Sequence, residues 1–395
     1  MREKIKVAVV FGTRPEAIKL VPVIKRLSND RQFELCNIVT AQHREMLDQV
    51  LELFNIQPEH DLAIMVNDQS LAHIVASSVA RLDQLFKQLR PDVILVQGDT
   101  STTFVASLAA FYNHIPVGHV EAGLRTGDRF QPFPEEMNRR LTSALTDFHF
   151  APTEAAKNNL LAEGTDPRTV FVTGNTVIDA FQLALQSPNG SRGLQLPDGF
   201  SAKRLVFVTA HRRENHGPPI NSICHALREI VQRYPDTAVV FPVHYNPKVR
   251  EVVFPLLSGV DRIWLTDPMG YVDTARMIQR STLVLTDSGG IQEEAPSQGK
   301  PVLVMRNKTE RPEGVSAGTA KLVGTNKEKI VKEVAALLSS PQKYRSMANA
   351  VNPYGDGKAS ERIAAFLLYT FGKRTRKPVP FVGGRERKRK KVIRC

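Results

Sequence analysis

The sequence predicts an α/β protein made of two successive domains, each built on a parallel sheet. Three observations predict it. Short apolar runs alternate with longer amphipathic segments along most of the chain. Polar turns rich in Gly, Asp and Thr follow those runs, as they do at the carboxyl ends of parallel strands. The alternation then restarts beyond residue 175, past a Gly/Pro/Ser-containing stretch at 187–203.

Each element has its own signal. Residues 7–11 are the first strand, and 15–28 form a helix opened by Pro15. Strand 34–40 leads into helix 44–54. Residues 70–89 carry the spacing of a long amphipathic helix. Residues 92–97 are a strand buried on both faces, because their apolar run does not alternate. Helix 101–113, strand 116–120, helix 134–146, strand 148–151 and strand 170–173 complete the first series. The second series has strands 205–209, 238–243, 263–266, 283–286 and 302–305. Pro296 falls where a helix should follow Asp287-Ser288-Gly289-Gly290, so that helix is short, kinked or late. The expected domains are 1–175 and 176–360. Residues 361–371 are an apolar-faced helix returning to the first domain.

The bulk properties narrow the class. The length of 395 residues accommodates two cores. No apolar run is long enough to span a membrane, and the charged start passes at once into a strand and polar turn, which places the protein in the cytoplasm. Three widely spaced cysteines suit a reducing compartment and give no metal-ligand spacing. The net charge of +13 is uneven: residues 372–395 hold eleven Lys or Arg and one Glu. That segment reads as a disordered basic tail, solvated or touching RNA or another anionic surface.

Ionisable residues gather after the strands. Gly12-Thr13-Arg14-Pro15-Glu16-Ala17-Ile18-Lys19 is neither a GxGxxG fingerprint nor a Walker loop, so no nucleotide cofactor is indicated. Arg14 and Lys19 suit an anionic ligand at a helix start, with a surface salt bridge as the alternative for Lys19. Asp99, Glu121 and Glu135 follow successive strands, where one cleft collects them as acid and base. Capping of the next helix is the other reading of Asp99. His211 with Arg212 and Arg213 reads as an anion and leaving-group site, or His211 pairs with Glu214. His244 follows the next strand. Ser288, Gly289 and Gly290 let backbone approach a phosphate, Glu294 suits sugar hydroxyls, and Arg311 adds a cation. No HExxH, CxxC or His-rich spacing points to a metal.

Eleven segments, in order, resemble the non-hydrolysing UDP-N-acetylglucosamine 2-epimerases: FGTRPEAIK, TAQHREML, GDT, HVEAGLRTGD, PFPEEMNR, GNTVIDA, TAHRREN, PVHYNP, TDSGGIQEEAPSQGKPVLVMR, TERPE and NPYGDGKAS. The resemblance covers 5–371. It implies two Rossmann-like domains facing across a cleft, the glycosyltransferase-B-like fold, in a homodimer. It implies interconversion of UDP-GlcNAc and UDP-ManNAc, without cofactor or metal, by elimination of UDP to 2-acetamidoglucal and re-addition, feeding surface polysaccharide. Asp99, Glu121 and Glu135 would handle the C2 proton beside Lys19 and Arg139, in an order left open. Arg14, His211, Arg212 and the Ser288–Gly290 amides would stabilise UDP, and Glu294 the ribose, with Arg311 nearby. Gln42, Arg212 and His244 stand near an activator site of regulated members, in which Glu45 is often Gln. Thr274 stands where an aromatic commonly packs on uracil. A hydrolysing relative and a glycosyltransferase of the same fold are the alternatives.

Overall fold

The computed structural model describes residues 4–40, 44–64, 70–187, 196–200 and 203–383, without the side chains of 44–46. The chain divides into two compact units. One comprises 1–180 with 355–382, and the other 181–354 with 383–395. The boundary falls inside the helix Thr176–Gln186.

The first unit is a seven-stranded parallel sheet. In chain order its strands are β1 (Ile5–Phe11), β2 (Phe33–Val39), β3 (His60–Asp61), β4 (Val93–Gln97), β5 (Val117–Val120), β6 (Phe148–Ala151) and β7 (Val170–Val172). They lie side by side as β3-β2-β1-β4-β5-β6-β7. β4 reads VILVQ and is buried at every position, as helices on both faces require. The helix Ser101–Tyr112 follows it. Its N-cap is Thr100, whose hydroxyl accepts from the Thr103 amide. Asp99 is therefore not the cap, and its carboxylate is left for other work.

The second unit is a six-stranded parallel sheet in the order β10-β9-β8-β11-β12-β13. These are β8 (Arg204–Thr209), β9 (Thr237–Pro242), β10 (Ile263–Thr266), β11 (Leu283–Thr286), β12 (Val302–Val304) and β13 (Ala320–Leu322). Helix Pro218–Arg233 buries Ile220, Ile223, Leu227 and Ile230 against this sheet. That spacing is one face of a helix, and each such side chain contributes about 1.5–3 kcal/mol. The short strands β3 and β13 lie at sheet edges and are too brief to carry a pattern. Pro296 is accommodated by a change of helix type. The α-helix stops at Glu294, and a 3-10 turn runs Ala295–Gln298, ending at left-handed Gly299. Proline has no N–H to continue the α-helical ladder.

The helix Ala359–Thr370 lies in the first unit against helix Arg14–Ser28. Buried Asp179 receives the Ala359 and Ser360 amides and the Ser360 hydroxyl, which fixes its start. Phe366 packs on Phe148, Phe150 and Phe171, with ring centroids 5.7, 5.3 and 5.1 Å away.

Part of the segment expected to be a tail packs on the first unit. Residues 372–383 are described, and Phe381 is buried against Ala151, Ala156 and Val172, with its amide on the Val172 carbonyl at 2.8 Å. An aromatic side chain in a basic, Pro-containing stretch found an apolar hollow at the sheet edge. Residues 384–395 lie outside the described ones. Among the described residues no helix is long and apolar enough to cross a membrane.

Candidate functional site

In each sheet the strand order reverses about one point: between β1 and β4 in the first unit, and between β8 and β11 in the second. Loops leaving such neighbouring strands diverge and open a crevice for ligands. Gly12–Arg14 and Gly98–Asp99 leave the first pair, and Ala210–Arg212 and Asp287–Gly290 the second.

In the first unit the three expected carboxylates occupy three different environments. Asp99 is clamped by Arg139, whose Nε and Nη2 donate to Oδ2 at 3.0 and 2.7 Å. Glu121 is 5% exposed and has a φ of +66°, a left-handed backbone that a non-glycine residue adopts at some cost. Its carboxylate is held by Lys19 and Gln97, and by Asn175 Nδ2 at 3.3 Å. Lys19 thus lies in the interior of the group, where a surface salt bridge would not. Glu135 opens helix Glu135–Leu145, and its Oε2 is buried with no hydrogen bond among the described residues. The three are linked by structure. Gln97, two residues before Asp99, touches Glu121, and Arg139, one helical turn after Glu135, grips Asp99.

Two residues of this group were not singled out from the sequence. Glu136 is fully buried and holds Arg139 at 3.1 Å. Burial raises its pKa, but the Thr126 amide and Arg139 outweigh that and hold the carboxyl below its ordinary range. Glu16, buried in the first turn of the helix, accepts hydrogen bonds from both loops at the β1/β4 reversal. Arg14 itself is half-buried and makes no hydrogen bond or ion pair among the described residues.

In the second unit His211 does not pair with Glu214, which binds Arg306 instead. Its Nδ1 lies 3.1 Å from Asp287 Oδ1. Asp287 is fully buried, and its Oδ2 accepts from the His211 amide at 2.8 Å, the Arg212 amide at 2.9 Å and Asn215 Nδ2 at 2.9 Å. Burial opposes the charge on Asp287, but the His211 ring and these amides together keep its pKa below the ordinary value. The residue was read from sequence only as part of a turn, yet it orients the histidine. The His244 ring stacks on His211 at 5.8 Å. Burial first, then the neighbouring His211 and His216, lower the His244 pKa.

The nucleotide residues expected from the sequence divide. A Cβ on Gly289 would lie 3.8 Å from Arg212 Nη2, and one on Gly290 4.0 Å from Glu294 Oε2, so these four residues adjoin. The Ser288 amide is already bonded to Thr286 Oγ1 at 2.9 Å, which leaves Gly289 and Gly290 the better donors. Glu294 is 6% exposed and accepts from the Tyr271 hydroxyl at 3.2 Å. Arg311 is engaged by buried Glu293, and its carbonyl by the Tyr354 hydroxyl at 2.9 Å. It therefore braces the Glu293–Glu294 helix. Gln42 lies outside the described residues, as does the side chain of Glu45.

Known proteins resemble this chain along nearly its whole length. The family model described as UDP-N-acetylglucosamine 2-epimerase matches residues 25–368. The UDP-N-acetylglucosamine 2-epimerase of Bacillus subtilis is 50% identical over 381 residues, covering 96% of this chain and 100% of that one. The enzyme of that name from Escherichia coli K12 is 51% identical, covering 92% of this chain and 98% of its own. The crystal structure of UDP-GlcNAc 2-epimerase from Neisseria meningitidis bound to UDP-GlcNAc superimposes with a TM-score of 0.81 at 49% identity, covering 92% of this chain and all of that one. With its two parallel sheets, its reversal-point loops and these matches along nearly its whole length, the chain belongs to the UDP-N-acetylglucosamine 2-epimerase family.

Proposed function

We propose that the protein interconverts UDP-GlcNAc and UDP-ManNAc without net hydrolysis, by eliminating UDP and adding it back. The supporting observation is the set of three carboxylates in three environments within the first unit: Asp99 on Arg139, Glu121 on Lys19, and Glu135 with an unbonded buried oxygen. Such differences separate the pKa values of like groups and allow one to accept a proton while another donates.

The C2 proton of the sugar has no adjacent carbonyl to acidify it. Its removal must accompany cleavage of the C1–O bond, with the electron pair leaving on UDP and 2-acetamidoglucal remaining. Return of a proton to the other face of C2, with UDP re-adding at C1, completes the inversion. Asp99, Glu121 and Glu135 carry the proton steps. Arg212, the Gly289 and Gly290 amides and His211 stabilise charge on the departing diphosphate. His211 receives its hydrogen-bond geometry from Asp287. Glu294, steadied by Tyr271, binds ribose hydroxyls. The resemblance also supports a homodimer as the working unit and a product destined for surface polysaccharide.

Incubation with UDP-GlcNAc in deuterated water tests this reading. The expected result is an equilibrium mixture of two intact UDP-sugars, both labelled at C2. Accumulation of free UDP and free ManNAc would establish a hydrolysing enzyme instead, and an unlabelled C2 would rule out proton exchange with solvent.

A further inference from the structure

Glu16 is 1% exposed and has no cationic partner among the described residues. Three donors point at its oxygens, and a fourth oxygen lies close by. Oε2 accepts from the Gly12 amide at 3.1 Å and the Thr13 amide at 2.7 Å. Oε1 accepts from Thr100 Oγ1 at 2.6 Å, and Thr103 Oγ1 lies at 3.2 Å. The first pair is ordinary helix capping, in which an acidic side chain in the first turn reaches back to the N-cap amide. The second pair is not needed for that purpose. It reaches 84 residues along the chain to the hydroxyl that follows Asp99.

The hydroxyl protons divide cleanly. Thr103 Oγ1 has a shorter contact with the Gln97 carbonyl, at 2.6 Å, and its single proton goes there. The Thr100 proton is then the one given to Glu16, while Thr100 Oγ1 accepts from the Thr103 amide at 3.2 Å. The loops are pressed together at this point. A Cβ on Gly12 would fall 2.1 Å from Thr40 Oγ1 and 2.6 Å from Thr102 Oγ1, so only glycine fits. The other flank of Asp99 is fixed as well. The Gly98 carbonyl accepts from His119 Nε2 at 2.7 Å, and the Asp99 carbonyl from Asn138 Nδ2 at 2.9 Å.

Burying a carboxylate is costly, and a glutamine would cap the helix at lower cost. Burial raises the Glu16 pKa in spite of the hydrogen bonds it receives, and its two oxygens, one toward each loop, let one side chain serve both at once. We propose that Glu16 is a positioning residue that ties the loop carrying Arg14 to the loop carrying Asp99. It sets the placement of the proton-handling carboxylate relative to the anion-binding end of the first helix. The catalytic part of this inference rests on the function proposed above.

The test uses full-length Glu16→Gln, Thr100→Val, their double variant and Thr100→Ser. Glu16→Gln and Thr100→Val should each lower kcat by about 10- to 100-fold, the range expected when a reacting group is displaced by about an ångström. KM and UDP affinity should stay within about threefold. The double variant should be no slower than the slower single one, because both break the same bond. Thr100→Ser keeps the hydroxyl and should restore most of the rate. Should Glu16→Gln fail to fold, Thr100→Val and Thr100→Ser carry the comparison. A kcat within threefold of wild type in both single variants would overturn the proposal, as would effects that multiply in the double variant. Amide hydrogen exchange separates this inference from the reading of function. If the wild type fails to exchange the C2 proton, the proposed function falls. The tie is then judged by whether Thr100→Val speeds exchange in both 12–14 and 98–100, which supports it, or in 98–100 alone, which overturns it.

Discussion

Asp287 shows how much of a site is carried by a residue that never needs to meet substrate. As an ionised acceptor it can only receive hydrogen bonds, so His211 must present Nδ1–H to it and keep Nε2 for the ligand side. In Asp287→Asn, the amide oxygen would satisfy the His211 and Arg212 amides and the NH2 would face the ring. The histidine would then hold the other tautomer. The expected outcome is a fall in kcat of roughly 10- to 100-fold with the fold intact, by turnover and near-UV circular dichroism. Asp99→Asn, Glu121→Gln and Glu135→Gln should each reduce turnover by about 10²- to 10⁴-fold while calorimetry finds UDP binding within a few-fold of wild type. Near-normal rates in all three would remove them from the chemistry. Asp99 and Glu121 stood out in the sequence because each closely follows an apolar run, whereas Glu135 opens a helix. Asp287 did not, because its partner lies 76 residues away. The two meet through the pairing of Thr209 with Thr286 in neighbouring parallel strands. An apolar run announces a strand but not its neighbour, so cross-strand partners stay hidden.

Among elements, β5 links the core of the first sheet to the proposed site. It ends beside Glu121, and its third residue, His119, is 1% exposed and bonded to the Gly98 carbonyl. Burial pushes the His119 pKa down to about 3, against the raising effect of that carbonyl. Its neighbour across the strand pair, His149, is also lowered by burial. His119 thus stays neutral in the fold well below the ordinary histidine range, and His149 resists protonation more than a free histidine does. Below pH about 6.5 the unfolded chain takes up protons that the folded one refuses. Each histidine therefore contributes stability that is complete above that pH and declines on acidification, for His119 down to about pH 3. The slope is about 1.4 kcal/mol per pH unit for a single group. His119→Gln keeps a donor for Gly98 and removes the titration. Urea unfolding at pH 6.5 and 5 should show a shallower loss in this variant by about that slope, and parallel losses would contradict it. The sequence displayed β5 as a strand, but not that its histidine faces inward. A polar residue in an apolar run has no visible partner until the strand order is known.

At the scale of the whole molecule, the charge and the fold end at different places. The net charge of +13 is concentrated after residue 371, yet Phe381 in that stretch belongs to the first unit. β7 is an edge strand, and the Phe381 amide covers one of its open carbonyls, at Val172. The Arg362 guanidinium lies 5.4 Å from the Phe381 ring, which adds a cation–π attraction to the apolar contacts. The basic composition hid this anchor, because one aromatic among many cations carries no periodicity. Two deletions separate the roles. Removing 384–395 takes away seven Lys or Arg and one Glu, and lowers the net charge to +7. The melting temperature and turnover should stay at wild-type values while retention on an anionic resin falls. Ending the chain at 377 removes Phe381 as well. It should cost about 3 kcal/mol, the scale of a buried Phe→Ala change, seen as a lower urea midpoint. Phe381→Ala in the full chain should reproduce the loss without altering charge. If the shorter deletion already destabilises the protein, the anchor lies beyond Phe381. If Phe381→Ala is silent, the ring only rests on the sheet edge, and the fold ends with helix Ala359–Thr370.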